Sequence, residues 1–303
     1  MKNLTLIALV LITTLFACKK DRGNDDTKLS LAEFNAKFSV PTQKFNGTAG
    51  AAFSITGTKG MKFDFPANAF LDASGNPVTG NVVVSLKEVL SKRDIILSGK
   101  VTQSNGQLLI SGGEFQILAS QNGQALKLNP AVAVAVKVPT TFNTAPMDLF
   151  VWAPTAASDS TWVLDQKARV ATSADFYQFN LPNFGWINCD YFYSNPNPKT
   201  TITASPVYAG AAPSIKDQRA YMVFDDLKSV AGLPFVLAVN KHQSYLNSMP
   251  IGLTGKLIIL STDVNDVIYF GQTTFTVSAD LHLNLNVAPA TAAQIDAFLN
   301  TIN

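Results

Sequence analysis

Side chains able to do acid–base, nucleophilic or metal chemistry are scarce in this chain. Of 303 residues, two are histidine (His242 and His282), two are cysteine (Cys18 and Cys189) and three are glutamate (Glu33, Glu88 and Glu114). A metal site needs several ligands of matched geometry, and the two histidines stand alone, so no metal or cofactor is expected. Asp225-Asp226 and Asp263 with Asp266 are pairs that could hold calcium, but the second lacks the glycine and distal glutamate of a dedicated loop. Turn capping is the expected role of both. No Gly-x-Ser-x-Gly, His-Glu-x-x-His or Cys-x-x-Cys occurs. Gly252 to Lys256 has Leu257 where a phosphate loop needs Ser or Thr. No catalytic residue is therefore assigned.

One acid sits among aromatics. Asp190 lies near Trp186, Tyr191 and Tyr193, and these four are the candidate ligand platform, of the kind that stacks sugars. The competing reading is that these rings fill a core between two domains. Glycoside hydrolysis would need a second carboxylate across a cleft, about 5–10 Å away, and no partner for Asp190 is evident from spacing. Cys189 reads as a small buried hydrophobe.

Cys18 carries the clearest chemistry. Lys2 supplies a positive end, and Leu4 to Leu15 is apolar apart from Thr5, Thr13 and Thr14. That run is shorter than the ~20 residues that span a bilayer and suits the apolar part of a cleaved signal. It ends Leu15-Phe16-Ala17-Cys18, which resembles a lipobox. The resemblance implies cleavage before Cys18 and acylation of its sulfur, and two or three chains would hold where one dissociates. Lys19-Lys20-Asp21 and Asp25-Asp26 follow, similar to the charged tether of Bacteroidota lipoproteins. The expected location is the outer membrane, lipid-anchored, at the cell surface or on the periplasmic face. Asp159-Ser160-Thr161 resembles the O-glycosylation acceptor of the same group, with Ser160 as the acceptor.

Removing the first 17 residues takes away one charge, Lys2, and leaves 22 basic and 21 acidic side chains. That balance gives no reason to expect nucleic acid as a partner. Membrane lipid through Cys18, envelope proteins and glycans are the partners expected.

The elements that would carry these residues are short and extended. Met61 to Phe65 alternates with period two, and Asn81 to Leu90 is valine-rich. Asn105-Gly106 marks a hairpin between strands over Leu97–Thr102 and Gln107–Ile110. Glu114–Ala119 and Ala131–Val138 continue the series. After Asn195-Pro196-Asn197-Pro198, strands are expected over Thr200–Ala204, Ala220–Phe224, Pro234–Asn240, Lys256–Thr262, Val267–Val277 and Leu281–Val287. Thr291 caps a helix reaching Ile302. The fold expected is mainly β: two β-sandwich domains with a short C-terminal helix, preceded by a signal peptide and polar tether. The divisions are 1–17 (signal), 18–40 (lipidated Cys18 and tether), 41–195 (first sandwich with an aromatic-rich extension) and 199–303 (second sandwich and helix).

Phe65-Pro66-Ala67-Asn68-Ala69-Phe70, Gly80 to Leu86, and Leu108-Leu109-Ile110-Ser111-Gly112-Gly113-Glu114-Phe115 together resemble the β-sandwich module of zonula-occludens scaffolds and netrin receptors. Phe184-Gly185-Trp186-Ile187-Asn188-Cys189-Asp190 is similar to a segment of uncharacterised Bacteroidota surface lipoproteins. The resemblance implies fold and lineage. Some relatives of the module cleave themselves at His-Phe-Ser, a sequence absent here. A membrane-anchored, non-enzymatic lipoprotein presenting an interaction surface is the function expected. A carbohydrate-binding lipoprotein using Trp186 to Tyr193 is the alternative.

Overall fold

The computed structural model describes residues 28–140, 146–154 and 160–302. Cys18, the signal segment and Asp159 lie outside the described residues, as does the side chain of Ser160. Ser160 itself begins a strand, Ser160–Leu164. The chain is mainly β, and among the described residues there are three short α-helices, α1 (Leu31–Phe38), α2 (Lys92–Ser98) and the C-terminal α3 (Ala292–Leu299).

The first body is a sandwich. One sheet runs in the order Gln43–Thr48, Asn81–Val89, Gln107–Gln121, Gly185–Phe192, Asp148–Pro154, Ser160–Leu164. Facing it is a sheet of Ala171–Thr172, Phe176–Asn180, Ala135–Pro139, Lys62–Phe65 and Phe53–Thr56. Alternate residues point inward, so Val82, Val84 and Leu86 meet Phe63, Val136 and Phe179 in one core. Phe63 and Phe115 close it from opposite sheets, edge to face at 5.3 Å. Each such fully buried ring contributes ~2–3 kcal/mol of transfer free energy.

A bulge aligns the two central strands. Asn188 pairs with Glu114 and Cys189 with Gly113, but Asp190 pairs with Ser111, leaving Gly112 as the extra residue. A Cβ at Gly112 would lie 2.7 Å from the carbonyl oxygen of Cys189 and 2.9 Å from the Tyr177 ring. Gly112→Ala should therefore cost about 2–3 kcal/mol. A Cβ at Gly50 meets nothing within 4 Å, so Gly50→Ala is the control. Urea midpoints that move equally for both variants would contradict the crowding.

The second body is one sheet curled around its own core. Its order is Val230–Leu233, Ile215–Phe224, Thr254–Asp263, Ile268–Thr276, His282–Pro289, Thr203–Tyr208, Lys241–Gln243, Phe235–Val236. Every pairing is antiparallel except His282–Pro289 with Thr203–Tyr208. Ala204, Met222, Leu257, Phe275 and Leu285, from five different strands, meet inside. The expected strand over Pro234–Asn240 shortens to Phe235–Val236, followed by a 3-10 turn over Leu237–Val239.

The outer faces of both bodies meet in a helical layer. Leu31 and Phe34 of α1, Ile95 to Leu97 of α2, and Ile295 and Leu299 of α3 pack with Tyr221, Val223, Ile258 and Leu260. The part of the 18–40 segment from Leu31 to Val40 thus belongs to the folded body. The strand expected over Leu97–Thr102 is instead the end of α2 and the loop after it. Ser91 and Asp94 form a capping box at its start, and Gly99, at φ +69°, ends it in the left-handed conformation. Arg93 ties the three helices, reaching the Phe38 carbonyl at 3.3 Å and Asp296 at 2.5 Å. Lys92 donates to the carbonyls of Phe224 (2.5 Å) and Asp225 (3.0 Å) on the second body.

Candidate functional site

Strand alternation separates the four aromatic-site candidates. Trp186, Asn188 and Asp190 point away from the sandwich core, whereas Ile187, Cys189 and Tyr191 point into it. Tyr193 lies beyond the strand and packs against the core of the second body. The four do not form one exposed platform. Trp186 is half-buried between the helical layer and a small cluster of Leu109, Phe150 and Trp162. Asp190 is fully buried.

What the sequence reading missed is the polar cluster around Asp190. Ser111, Glu114, Asn188 and Asp190 lie on neighbouring strands, and all four are fully buried. Asn188 Nδ2 donates to Asp190 Oδ2 at 2.6 Å, and Ser98 Oγ donates to Glu114 Oε1 at 2.8 Å. Glu114 Oε2 and Asn188 Oδ1 find no hydrogen-bond partner in the protein. Burial pushes both carboxyls well above the usual range; Ser98 offsets part of this for Glu114, as the Ser111 hydroxyl, Lys228 and Asn188 do for Asp190. Burial in turn lowers Lys100 and Lys228, which face this cluster.

The histidines stay apart. His282 is exposed and shares a 2.8 Å contact between Nδ1 and Thr203 Oγ1. His242, expected in a turn, is buried in Lys241–Gln243 with Nδ1 2.8 Å from the Leu233 carbonyl. Burial holds it below its ordinary value. Among the described residues no three acidic, histidine or cysteine side chains converge as metal ligands. Asp263 Oδ1 caps its own turn, accepting from Asn265 N at 2.8 Å and Val267 N at 2.9 Å.

Beside the helical layer, the two bodies enclose a cleft of about 390 Å³. Its first-body wall is the segment after α2, with Gln103, together with Trp152 and Thr161 on the sheet's last two strands. Arg219, Tyr221 and Tyr245 form the opposite wall. Gln103, Trp152 and Tyr245 are held from behind. Gln103 Oε1 accepts from Gly232 N at 2.8 Å, which turns its amide nitrogen the other way. Gln103 is 5% exposed, and that Nε2 has no acceptor in the protein. Trp152 stands edge to face on Trp162 at 5.1 Å, with Lys100 Nζ 4.4 Å from its ring centre. Tyr245 packs on the Asn105-Gly106 turn, its ring 2.7 Å from where a Gly106 Cβ would be. Gly106 has φ +83°, so glycine serves there both the turn and this contact.

No family model matches the chain, and no curated protein matches it. The class is defined by the fold and the site: a mainly β protein of two bodies joined by a helical layer, with a polar-aromatic cleft at the junction.

Proposed function

We propose that this is a lipid-anchored envelope protein, non-enzymatic, whose interaction surface is the cleft between its two bodies. The supporting observation is the cleft itself, where Trp152, Arg219, Tyr221 and Tyr245 from the two bodies line one concave surface, with Trp152 fixed edge to face on Trp162. The lining includes no carboxylate, histidine or cysteine, which favours holding a ligand over cleaving one. The anchor rests on Leu15-Phe16-Ala17-Cys18.

A carbohydrate ligand is the second reading, and the aromatic and amide lining supports it at this cleft rather than at Trp186. The test is a glycan array probed with the wild-type chain, Trp152→Ala and Trp186→Ala. The cleft reading expects binding that Trp152→Ala abolishes and Trp186→Ala spares; the opposite pattern would return the site to the strand Gly185–Phe192. The anchor is tested by metabolic labelling with a fatty-acid analogue, which should mark the protein and lose the mark in Cys18→Ala. Labelling that survives the substitution would remove the anchor.

A further inference from the structure

Exposed apolar side chains gather at one end of the second body. Strand pairing brings Ile215, Asp263, Pro289 and Tyr208 to the same end of the curled sheet. The 3-10 turn Leu237–Val239 closes there too, because Val236 pairs with Lys241 and His242 with Ala204. Leu237 is 86% exposed and Val239 45%. Beside them Val207 is 40% exposed, and Val264, in the turn after Thr254–Asp263, is 62% exposed. Val264 N donates to the Ser214 carbonyl at 2.9 Å. That bond ties its turn to the segment 209–212, three alanines and a glycine, all exposed.

A single exposed apolar side chain is ordinary on a protein surface, but several on neighbouring turns mark a face that a protein or a membrane covers. The course of the chain decides between the two. Lys28 pairs with Val267, three residues past Val264, so the chain enters the fold at this end. Cys18 stands ten residues before Lys28. Ten residues reach at most ~36 Å, so lipid on Cys18 would keep this end close to a bilayer. The opposite end of the sheet turns to the first body instead, where Tyr245 packs on the Asn105-Gly106 turn. Lys28, Lys216 and Lys241 flank the apolar turns, with Asp217, Asp263 and Asp266 among them and Lys216 bonded to Asp266. These charges balance, so a neutral lipid surface suits this end as well as an anionic one, and the lysine stems can lie along apolar surface with their heads among phosphates.

Resting on the reading of Cys18 as the lipid anchor, we propose that this end of the second body docks on the lipid bilayer, with Leu237, Val239 and Val264 dipping into it. The anchored protein then holds one orientation, with the Tyr245 wall of the cleft at the end away from the lipid. Interfacial apolar side chains settle ~5–10 Å into the boundary of headgroups and acyl chains, a depth that a nitroxide on the upper acyl chain reaches.

The experiment uses the full chain, purified from membranes and reconstituted into phosphatidylcholine vesicles that contain a lipid with a nitroxide on its upper acyl chain. A small fluorophore is attached through Val239→Cys, Val264→Cys or Leu246→Cys in turn; Cys189 is fully buried and escapes labelling in the folded chain. Leu246 is the control, 73% exposed but at the opposite end, where Asn247 N donates to Thr201 Oγ1. The nitroxide should quench the probes at 239 and 264 and leave the probe at 246 bright. Leu237→Asp should relieve the quenching at both positions while the protein still floats with the vesicles and unfolds at the wild-type temperature. Probes at 239 and 264 that stay bright on a chain that floats would overturn the docking and leave the anchor standing. Equal quenching at all three positions would overturn the choice of face. A chain that takes up no fatty acid, yet is quenched at 239 and 264 alone, would lose the anchor and keep the docking face; one that does not float at all would lose both.

Discussion

Replacing Glu88 by alanine should lower the stability of the first body by about 3–5 kcal/mol, among the larger effects a single side chain produces. Glu88 ends the inward row of Val82, Val84 and Leu86, and it is fully buried. Its carboxylate stands in for missing backbone at the Gly57–Gly60 turn. Oε1 accepts from Met61 N at 2.9 Å; Oε2 accepts from Lys59 N at 2.8 Å and Gln43 Nε2 at 2.9 Å. Alanine would leave these donors without an acceptor and open a void where the carboxylate sits. Glu88→Gln keeps the shape but turns an NH₂ toward one set of donors, so it should fall between wild type and alanine. Gly57 explains why the pocket admits no other arrangement: a Cβ there would lie 2.3 Å from the Glu88 carboxyl carbon. Urea unfolding checks the order, and an alanine variant within ~1 kcal/mol of wild type, several-fold below the ~3–5 expected, contradicts it. The damage should also spread, because Lys59 of the same turn binds Asp94 of α2 at 2.5 Å.

Glu114→Gln should stabilise the protein at neutral and alkaline pH, with a gain that grows as pH rises. Burial raises the Glu114 carboxyl, and the charge of Asp190 adds to the effect against the opposing Ser98 hydroxyl and Lys100. Between the ordinary carboxylate value near ~4 and the raised folded value, the folded state holds a proton that the unfolded chain has released. Folding then takes up protons, so stability is full at the acid end and falls with rising pH, by up to ~1.4 kcal/mol per pH unit for each such group. Glutamine does not titrate, and its Oε1 can keep the Ser98 bond. The wild-type and variant stability curves should therefore meet near the acid end and separate above it. Asp190→Asn should behave alike, and the double variant should gain less than the sum, since the Asp190 charge is part of the burden on Glu114. Lys100 and Lys228 are lowered by burial, so their contribution is lost as pH falls from the ordinary lysine value, the opposite direction to the carboxyls, and both are present in wild type and variant alike. Parallel curves from mildly acid to mildly alkaline pH would show that these carboxyls do not take up protons on folding.

Local pattern made much of the fold legible. Period-two runs marked Lys62–Phe65 and Asn81–Val89, Asn105-Gly106 marked a turn with both residues at positive φ, and Thr291 marked α3 through its capping box with Gln294. The failure at α2 has a physical cause. Ile95, Ile96 and Leu97 are all buried, because the helix is enclosed by both bodies, so no polar face gives it a period. The caps Ser91, Asp94 and Gly99 are readable in the sequence, whereas the expected strand over Leu97–Thr102 began inside the helix's last turn. For the strand Gly185–Phe192, the spacing of Trp186, Asn188 and Asp190 already places them on one face, opposite Tyr191. That Asp190 faces a second protein surface rather than solvent depends on a partner more than thirty residues later in the chain. The cleft was beyond local reading altogether: Gln103 and Arg219 are more than a hundred residues apart, and neither stands in a motif.

The helical layer also joins the two ends of the folded chain. α1 follows Ser30 and α3 ends at Leu299, yet both share one apolar cluster, and Arg93 of α2 bonds to the end of one and to the side of the other. Closing a loop of roughly 250 residues adds only a logarithmic entropic penalty, but such distant contacts form slowly. Each β body can complete its ladders from nearer neighbours, whereas the layer must wait for the last residues to arrive. Assembly thus ends like a belt being buckled: the two sheets can form first, and the helices then fix how they sit and so give the cleft its final shape.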